Sequence, residues 1–555
     1  MGAPIRNITI VGGGTAGWLT AAFLNHRLQW GAAHPEGFTI TLIEAPGIPT
    51  VGVGEATIPG LRQTLAMLEI DENEFVARTD ATFKLGVRFD GWSDPAGPKP
   101  ASYFHPFSGG VQIAGRNPAA SLLAYGVPPE LGLDPQLGNL LGDAVAAAEA
   151  GKSPRSPDDR PYNGALSYAY HLDAGKFAEF LREVATARGV KHVRDRVAGV
   201  ERTEKGLIGA LTLEEGGRFP VELVVDCSGF RGLLINGAME EPFESYSDYL
   251  PNDRAVAIQI AHDRSIKRPT ATVSTALAHG WRWEIGLQSR VGTGYVYSGA
   301  FLEPEAAVTE LLASMPGAEP ITNPNFVAMR IGRCRRSWVG NCVAIGLASG
   351  FVEPLESTAI QFVDYACRRL LQCLPSLDFE PAPIAKFNTQ IADLYEDIRD
   401  FLGLHFVLSD RDDNDYWRMC RHDLKRSDRL TECLDFWRHG LPDPFDPRST
   451  EVFTSWSVNC LLLGKGFYGD TLSAGTDLLP REYWDRYLHH LSNFRPARLA
   501  RLHDQAAVLD SMNAAARHGA SANSAARPQP APMMGYALGP NLPVMTADPS
   551  MAALA

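Results

Sequence analysis

Residues 5–24 read IRNITIVGGGTAGWLTAAFL. Ile8 to Val11 is a β-branched, apolar run, as expected of a parallel strand buried on both faces. Three glycines end it, and Ala16 to Leu24 resumes as a helix. Gly12, Gly14 and Gly17 form G-x-G-x-x-G at the junction. The first glycine permits a tight turn, the second lets backbone approach a pyrophosphate, and the third lets helix and strand pack closely. The N-terminus of the helix offers unpaired N–H groups and the positive end of its dipole to the phosphates. A second apolar run, Phe38 to Ile43, ends in Glu44, whose carboxylate can accept hydrogen bonds from ribose hydroxyls. Glu44 lies 27 residues past Gly17, against a usual spacing of about 20. The polar stretch from Trp30 to Gly37, rich in Gly, Ala and Pro, accounts for the excess. Strand, glycines, helix, strand and acid, in that order, predict a dinucleotide-binding unit.

Two later segments select the dinucleotide. Phe219 to Asp226 reads as a buried strand leading into CSGFRG, and Val343 to Gly350 (VAIGLASG) is another strand running into small residues. Separated segments of this kind build the second half of an FAD site, whereas an NAD dehydrogenase usually keeps its binding domain contiguous. The expected fold class is therefore α/β: a Rossmann-like FAD-binding fold of the flavin monooxygenase type, with a mixed sheet and an added C-terminal helical subdomain. Residues 95–160 read as loops and short helices, with an alanine-rich helix around Asp143 to Ala150. Residues 168–187 read as helix, 255–301 as β-rich, and 354–509 as helical with aromatics throughout. After about Ser511, Ala, Ser, Pro, Met and Gly dominate, so a disordered or loosely docked tail is expected. The predicted organisation is an FAD-binding module over 1–370, with substrate-side insertions at about 80–160 and 240–325, a helical cap over 371–510, and a tail over 511–555.

Bulk properties narrow the partners. The 555 residues carry 51 Lys and Arg against 64 Asp and Glu, a net charge of -13, which gives no general attraction to nucleic acid or anionic lipid. None of the 8 cysteines forms a C-x-x-C pair, so neither a zinc framework nor a disulfide scaffold is expected, and no metal site. No apolar run approaches the roughly 18 residues of a membrane span. A cytoplasmic protein is the expectation.

Several motifs together give a more specific resemblance: GGGTAGW (12–18), GVGEATIP (52–59), KLG (84–86), YHLDAGKF (170–177), DCSGFRGLLI (226–235), WRWEIG (281–286) and GLASGFVEPLESTAI (346–360). In order and spacing, over about residues 5–470, they resemble the flavin-dependent halogenases of the tryptophan halogenase family. Where family members usually have proline after W-x-W-x-I, this chain has Gly286.

That resemblance implies FADH2 supplied by a separate NAD(P)H-dependent flavin reductase. The flavin hydroperoxide formed with oxygen is attacked by chloride or bromide, and the hypohalous acid travels through a tunnel to a lysine. Lys84 matches that lysine, as hydrogen-bond donor or as haloamine, and Glu356 matches the family's glutamate. Cofactor contacts carried over in the same way are Gly12, Gly14, Thr15, Ala16, Gly17, Glu44, Ala56, Val197, Leu347 and Ile360. Backbone N–H groups of Thr358 and Ala359 would take the halide, although family members often have glycine at 359. Trp281 and Trp283, on one face of a strand, would separate flavin from substrate. His105, Phe107, Phe453 and Trp456 would line the aromatic pocket. The resemblance leaves a homodimer open.

The pair Lys84 and Glu356 also makes sense chemically. A buried ammonium can donate to hypohalous acid and make the halogen more electrophilic, while a nearby carboxylate holds the ammonium and accepts the ring proton. The bland alternatives are a surface lysine, a helix N-terminal acid and core aromatics. Residues 455–467, SWSVNCLLLGKGF, depart from the pattern expected for binding free tryptophan, so indoles, phenols, pyrroles and larger natural products stay open. A flavin hydroxylase is the competing enzyme class; it would not need Lys84.

Overall fold

The computed structural model describes residues 2–30, 37–48, 54–108, 113, 116–262, 267–442, 452–468 and 478–522. At its centre Asn7–Val11 pairs in parallel with Leu223–Asp226 on one side and Thr39–Glu44 on the other. Cys342–Ala344 and Lys191–Arg194 extend the sheet in parallel, and Trp338–Val339 closes one edge antiparallel. The glycine turn thus lies at the carboxyl ends of parallel strands, where open α/β sheets bind ligands. The helix after the turn spans Thr15–Trp30. Of the predicted loop from Trp30 to Gly37, Trp30 belongs to this helix and 31–36 lie outside the described residues.

A second, seven-stranded sheet runs Asn325–Ala328, Arg254–Ala261, Arg290–Tyr297, Gly280–Gly286, Thr272–Leu277, Gly86–Asp90, Ser102–Pro106. All its pairs are antiparallel except that between Thr272–Leu277 and Gly86–Asp90. The β-rich expectation for 255–301 holds. The loop-and-helix expectation for 95–160 misses the strand Ser102–Pro106, which carries His105. Among the described residues Gly286 has no need to be glycine: a Cβ there would meet only Arg268 Cδ, at 3.6 Å.

A small antiparallel sheet joins the two. Ala169–Asp173 pairs with Gly54–Ala56 and with Thr82–Lys84. This corrects the helix expected over 168–187. Residues 169–173 are strand, and the helix is Ala174–Ala187, capped by the Asp173 carboxylate accepting from Lys176 N at 2.9 Å. The cap marks the boundary that an apolar pattern alone blurs. Phe219 to Asp226 is likewise two strands, Gly217–Pro220 and Leu223–Asp226, separated by Val221 and Glu222.

The C-terminal half is helical. Pro381–Val407 buries Phe387, Ile391, Leu394, Tyr395, Ile398, Leu402 and His405, the helical spacing of one continuous face. Ser455–Gly464 packs on the strand Ser102–Pro106. A Cβ on Gly464 would meet Tyr103 Cβ at 2.6 Å, so the glycine lets helix and strand touch. The expected tail from 511 begins instead inside a helix, Gln505–Ala522, which packs on Glu72–Arg78 and buries Val508, Leu509 and Met512. Residues 523–555 lie outside the described residues. Among the described residues no helix is long and apolar enough to cross a membrane, and all 8 cysteines are buried.

Candidate active site

Over the glycine turn opens a cavity of about 970 Å³. Its walls include Gly12, Gly14, Thr15, Ala16, Glu44, Ala56, Val197, Leu347, Ala359 and Ile360, drawn from both halves of the fold. The three glycines behave differently. Gly12 has φ +125°, and a Cβ there would meet the Cys227 carbonyl oxygen at 2.2 Å. Gly17 lies behind the wall, where a Cβ would fall 1.8 Å from Gly12 O. A Cβ on Gly14 would meet nothing within 4 Å. Gly12 and Gly17 thus serve the chain's own packing, and Gly14 keeps open the space before the helix N-terminus, where a phosphate would lie. One oxygen of Glu44 is held by His192 Nε2 at 2.8 Å. The volume, the glycine cradle and the acid beside it fit a dinucleotide such as FAD. Trp281 and Trp283 also line the cavity, their ring centroids 6.3 Å apart.

Ser357 is also a wall residue, and behind it lies Lys84. The lysine ends the strand Thr82–Lys84 and is 0% exposed. Its ammonium donates to Ser357 Oγ at 2.8 Å and to the Thr57 carbonyl at 3.1 Å, and stands 5.1 Å above the Phe107 ring. Burial brings its pKa down from the usual lysine range to about 7, against the opposing charge of Glu356. The surface alternative for Lys84 is thereby removed. Ser357 has φ +64°, a left-handed conformation that costs a non-glycine residue roughly 1 kcal/mol. This kink turns the chain from Glu356 into the helix Ala359–Gln372, for which Thr358 is the N-cap residue. Among the described residues the N–H groups of Thr358 and Ala359 find no acceptor, which leaves two donors at a helix N-terminus.

Glu356 is buried, 1% exposed. It does not pair directly with Lys84, contrary to the expectation that the carboxylate holds the ammonium. Its Oε1 lies 3.0 Å from His105 Nδ1 and 3.3 Å from His405 Nε2. Burial alone would raise its pKa; the charge and hydrogen bond of His105, then the polar His405 ring close by, outweigh burial and bring it to about 2. Three residues earlier, Glu353 is fully buried and accepts from Trp281 Nε1 and Asn252 Nδ2, both at 3.0 Å. It ties the tryptophan wall to the loop that carries Glu356.

Most of the residues predicted from sequence converge here. His105 touches Glu356 and lies 6.0 Å, ring to ring, from Phe453, which stacks on Phe401 at 4.0 Å. Trp456 instead packs beside a separate apolar cluster containing Leu137, Leu140 and Cys460. Sequence reasoning missed Thr57, Ser357, Glu353 and His405. Ser357 and Glu353 lie inside a motif already singled out. Thr57 contributes a backbone carbonyl, which any residue would supply. His405 sits in a buried helical stripe with no local signature.

Known proteins match this chain along most of its length. The sequence profile of the tryptophan halogenase family matches residues 7–481. The tryptophan 7-halogenase RebH of Lentzea aerocolonigenes is 40% identical over 507 residues, 87% of this chain and 93% of that protein. The tryptophan 6-halogenase SttH of Streptomyces toxytricini is 37% identical over 493 residues, 83% of this chain and 90% of its own. The crystal structure of a tryptophan halogenase from Shewanella frigidimarina superimposes with a TM-score of 0.84 at 33% identity, covering 92% of this chain and 98% of that one. The chain belongs to the tryptophan halogenase family. It is a flavin-dependent halogenase by class, with the α/β fold and helical C-terminal part of that class.

Proposed function

We propose that this enzyme chlorinates or brominates an electron-rich aromatic ring, an indole above all, at a site built from Lys84 and Glu356. The observation that carries this is the fully buried Lys84 ammonium, held by Ser357 in the wall of a cofactor-sized cavity. Reduced FAD, delivered by a separate NAD(P)H-dependent flavin reductase, would with oxygen and halide supply hypohalous acid. Gly12, Gly14, Thr15, Ala16 and Glu44 would hold the pyrophosphate and ribose, with Ala56, Val197, Leu347 and Ile360 around the rest. Thr358 and Ala359 N–H groups would take the halide. Trp281 and Trp283 would keep the aromatic substrate out of the flavin cavity.

At the far end Lys84 Nζ donates to the oxygen of the hypohalous acid. The ring's π electrons attack the halogen, the halogen–oxygen bond breaks, and the hydroxide leaves as water with the lysine proton. The ring proton passes to Glu356, and aromaticity returns. His105, Phe107 and Phe453 supply aromatic surface for the substrate ring. RebH and SttH are named for tryptophan, whereas segment 455–467 departs from the pattern that would bind free tryptophan, so the substrate class is an indole.

The test is purified enzyme with a flavin reductase, NADH, FAD, bromide and an indole panel. Brominated product is expected. Lys84→Ala should abolish it while oxygen consumption continues. Hydroxylated product formed without regard to halide would refute halogenation, and undiminished bromination by Lys84→Ala would refute the site.

A further inference from the structure

His405 stands on the helix Pro381–Val407, 0% exposed, with no role yet assigned. Its ring is caged by Phe89 at 4.6 Å and Phe401 at 5.7 Å between centroids. One nitrogen, Nδ1, is 2.6 Å from the Tyr103 hydroxyl. The other, Nε2, is 3.3 Å from Glu356 Oε1 but off the hydrogen-bond line, and among the described residues it has no other partner. A buried polar nitrogen left unmatched is costly and asks for a reason.

The chemistry of the neighbours fixes where the protons are. Burial, then the Glu356 charge, raises the Tyr103 hydroxyl well above its ordinary range, so the tyrosine keeps its proton, and among the described residues His405 Nδ1 is the one group placed to accept it. His405 therefore accepts at Nδ1. Burial lowers the His405 pKa to about 4, so the ring is neutral at pH 7 and its single proton sits on Nε2. That proton faces Glu356. His105 presents Nδ1 to the same oxygen, which leaves Oε2 without a donor among the described residues.

We propose that His405, with its tautomer set by Tyr103, is a positioning residue for Glu356: it tightens onto Oε1 when substrate binds, and with His105 keeps the carboxylate ionised and Oε2 free to receive the ring proton. Hydrogen bonds of this kind are often misaligned before the substrate is in place. The other titratable groups around Glu356 are Lys84 on the strand Thr82–Lys84, Tyr103 and His105 on Ser102–Pro106, and Cys460 on the helix Ser455–Gly464. Buried Lys465, just past that helix, faces His405 and opposes any charge on it. None of these replaces a donor at Oε1. The proposal rests on the role given to Glu356 above.

The experiment is kcat and KM for bromination of indole between pH 5 and 9, with reductase in excess, for the wild type and four variants. In the wild type the Glu356 limb lies below the accessible range. His405→Phe removes a donor, raises the carboxyl pKa and brings an acidic limb into view, with kcat at pH 5.5 at least about tenfold below wild type and KM within about twofold. His405→Gln, which restores an N–H at the Nε2 position, should return the wild-type profile. Tyr103→Phe should move the limb the same way by less; it keeps ring volume and decides the matter if His405→Phe does not fold. A uniform loss of rate at every pH, or His405→Gln behaving like His405→Phe, overturns the proposal. Glu356→Gln separates the two levels: if it stays active, the role of Glu356 itself is wrong. If it is inactive while the His405 and Tyr103 variants keep the wild-type profile, only the role of His405 falls.

Discussion

At the scale of single residues, Lys84 sets the pH behaviour. In the fold it holds its proton only below about 7, whereas an exposed lysine holds it to 10.5. Donation to hypohalous acid needs the ammonium, so turnover should fall about tenfold per pH unit above roughly 7. A haloamine route needs the free amine and predicts a rise over the same interval; kcat measured from pH 6 to 9 decides between them. The same shift bears on stability. Between pH 7 and 10.5 the unfolded chain binds more protons at this lysine than the folded one, so its cost is greatest at and below pH 7 and fades toward 10.5. Lys84→Met should therefore raise Tm, most at pH 6 to 7 and least near pH 10, by thermal unfolding across that range. The sequence made Lys84 and Glu356 legible because each sits in a short motif, KLG and EPLEST, whose neighbours are small or apolar. Their relation was not legible. The carboxylate was expected to grip the ammonium, but Lys84 is held by Ser357 and Thr57, and Glu356 by His105 and His405. Which partner a buried charge takes depends on strands and helices far apart in sequence, and no local pattern encodes it.

At the scale of elements, the strand–turn–helix unit at the N-terminus was the most legible part, because backbone constraint dictates residue type there. Its glycines answer to different demands, which substitution separates. Gly17→Ala would drive a Cβ into Gly12 O, a backbone clash no side chain can relieve, so little folded protein is expected. Gly14→Ala meets no protein atom, so the fold should survive. Its methyl group would occupy the space left for a phosphate, and FAD affinity should fall at least about tenfold, roughly 1.4 kcal/mol. Thermal unfolding without FAD and flavin titration of the two variants check this; equal FAD affinity in Gly14→Ala and wild type would contradict the assigned phosphate position. Residues 168–187 show the opposite case. Apolar residues at mixed spacing lead from Tyr168 into the helix, interrupted only by His171 and by Asp173, whose cap marks the boundary. The strand exists because Gly54–Ala56 and Thr82–Lys84 flank it, and these partners come from more than 80 residues away. Pairing at that distance leaves no periodic trace in a five-residue segment.

At the scale of the whole molecule, the least legible feature is how the chain's late segments return to support its early ones. Low charge and abundant alanine after Ser511 suggested a tail, yet alanine also favours helix, and here a docking surface tips the balance. Gln505–Ala522 lies against Glu72–Arg78, and Asn513 Nδ2 donates to Gln288 Oε1 at 2.6 Å. More consequential is Gln505, whose Oε1 accepts from the backbone N–H of Phe83 at 2.8 Å. Phe83 precedes Lys84 on a strand that, among the described residues, pairs on one side only, with Ala169–Asp173. The C-terminal helix thus satisfies a donor on the open side of the strand that carries the lysine. Losing that acceptor should cost about 1–3 kcal/mol. Gln505→Ala is expected to lower Tm by a few degrees and to loosen the lysine's setting, so that bromination falls severalfold while FAD affinity stays at the wild-type value. Truncation after Asp504 also uncovers the helix Glu72–Arg78 and removes buried Val508, Leu509 and Met512, and should destabilise much further, with apolar surface exposed enough to promote aggregation. Bromination rate, flavin titration and unfolding temperature measured on the same preparations test it; full activity and unchanged Tm in the truncated chain would show that the helix is dispensable.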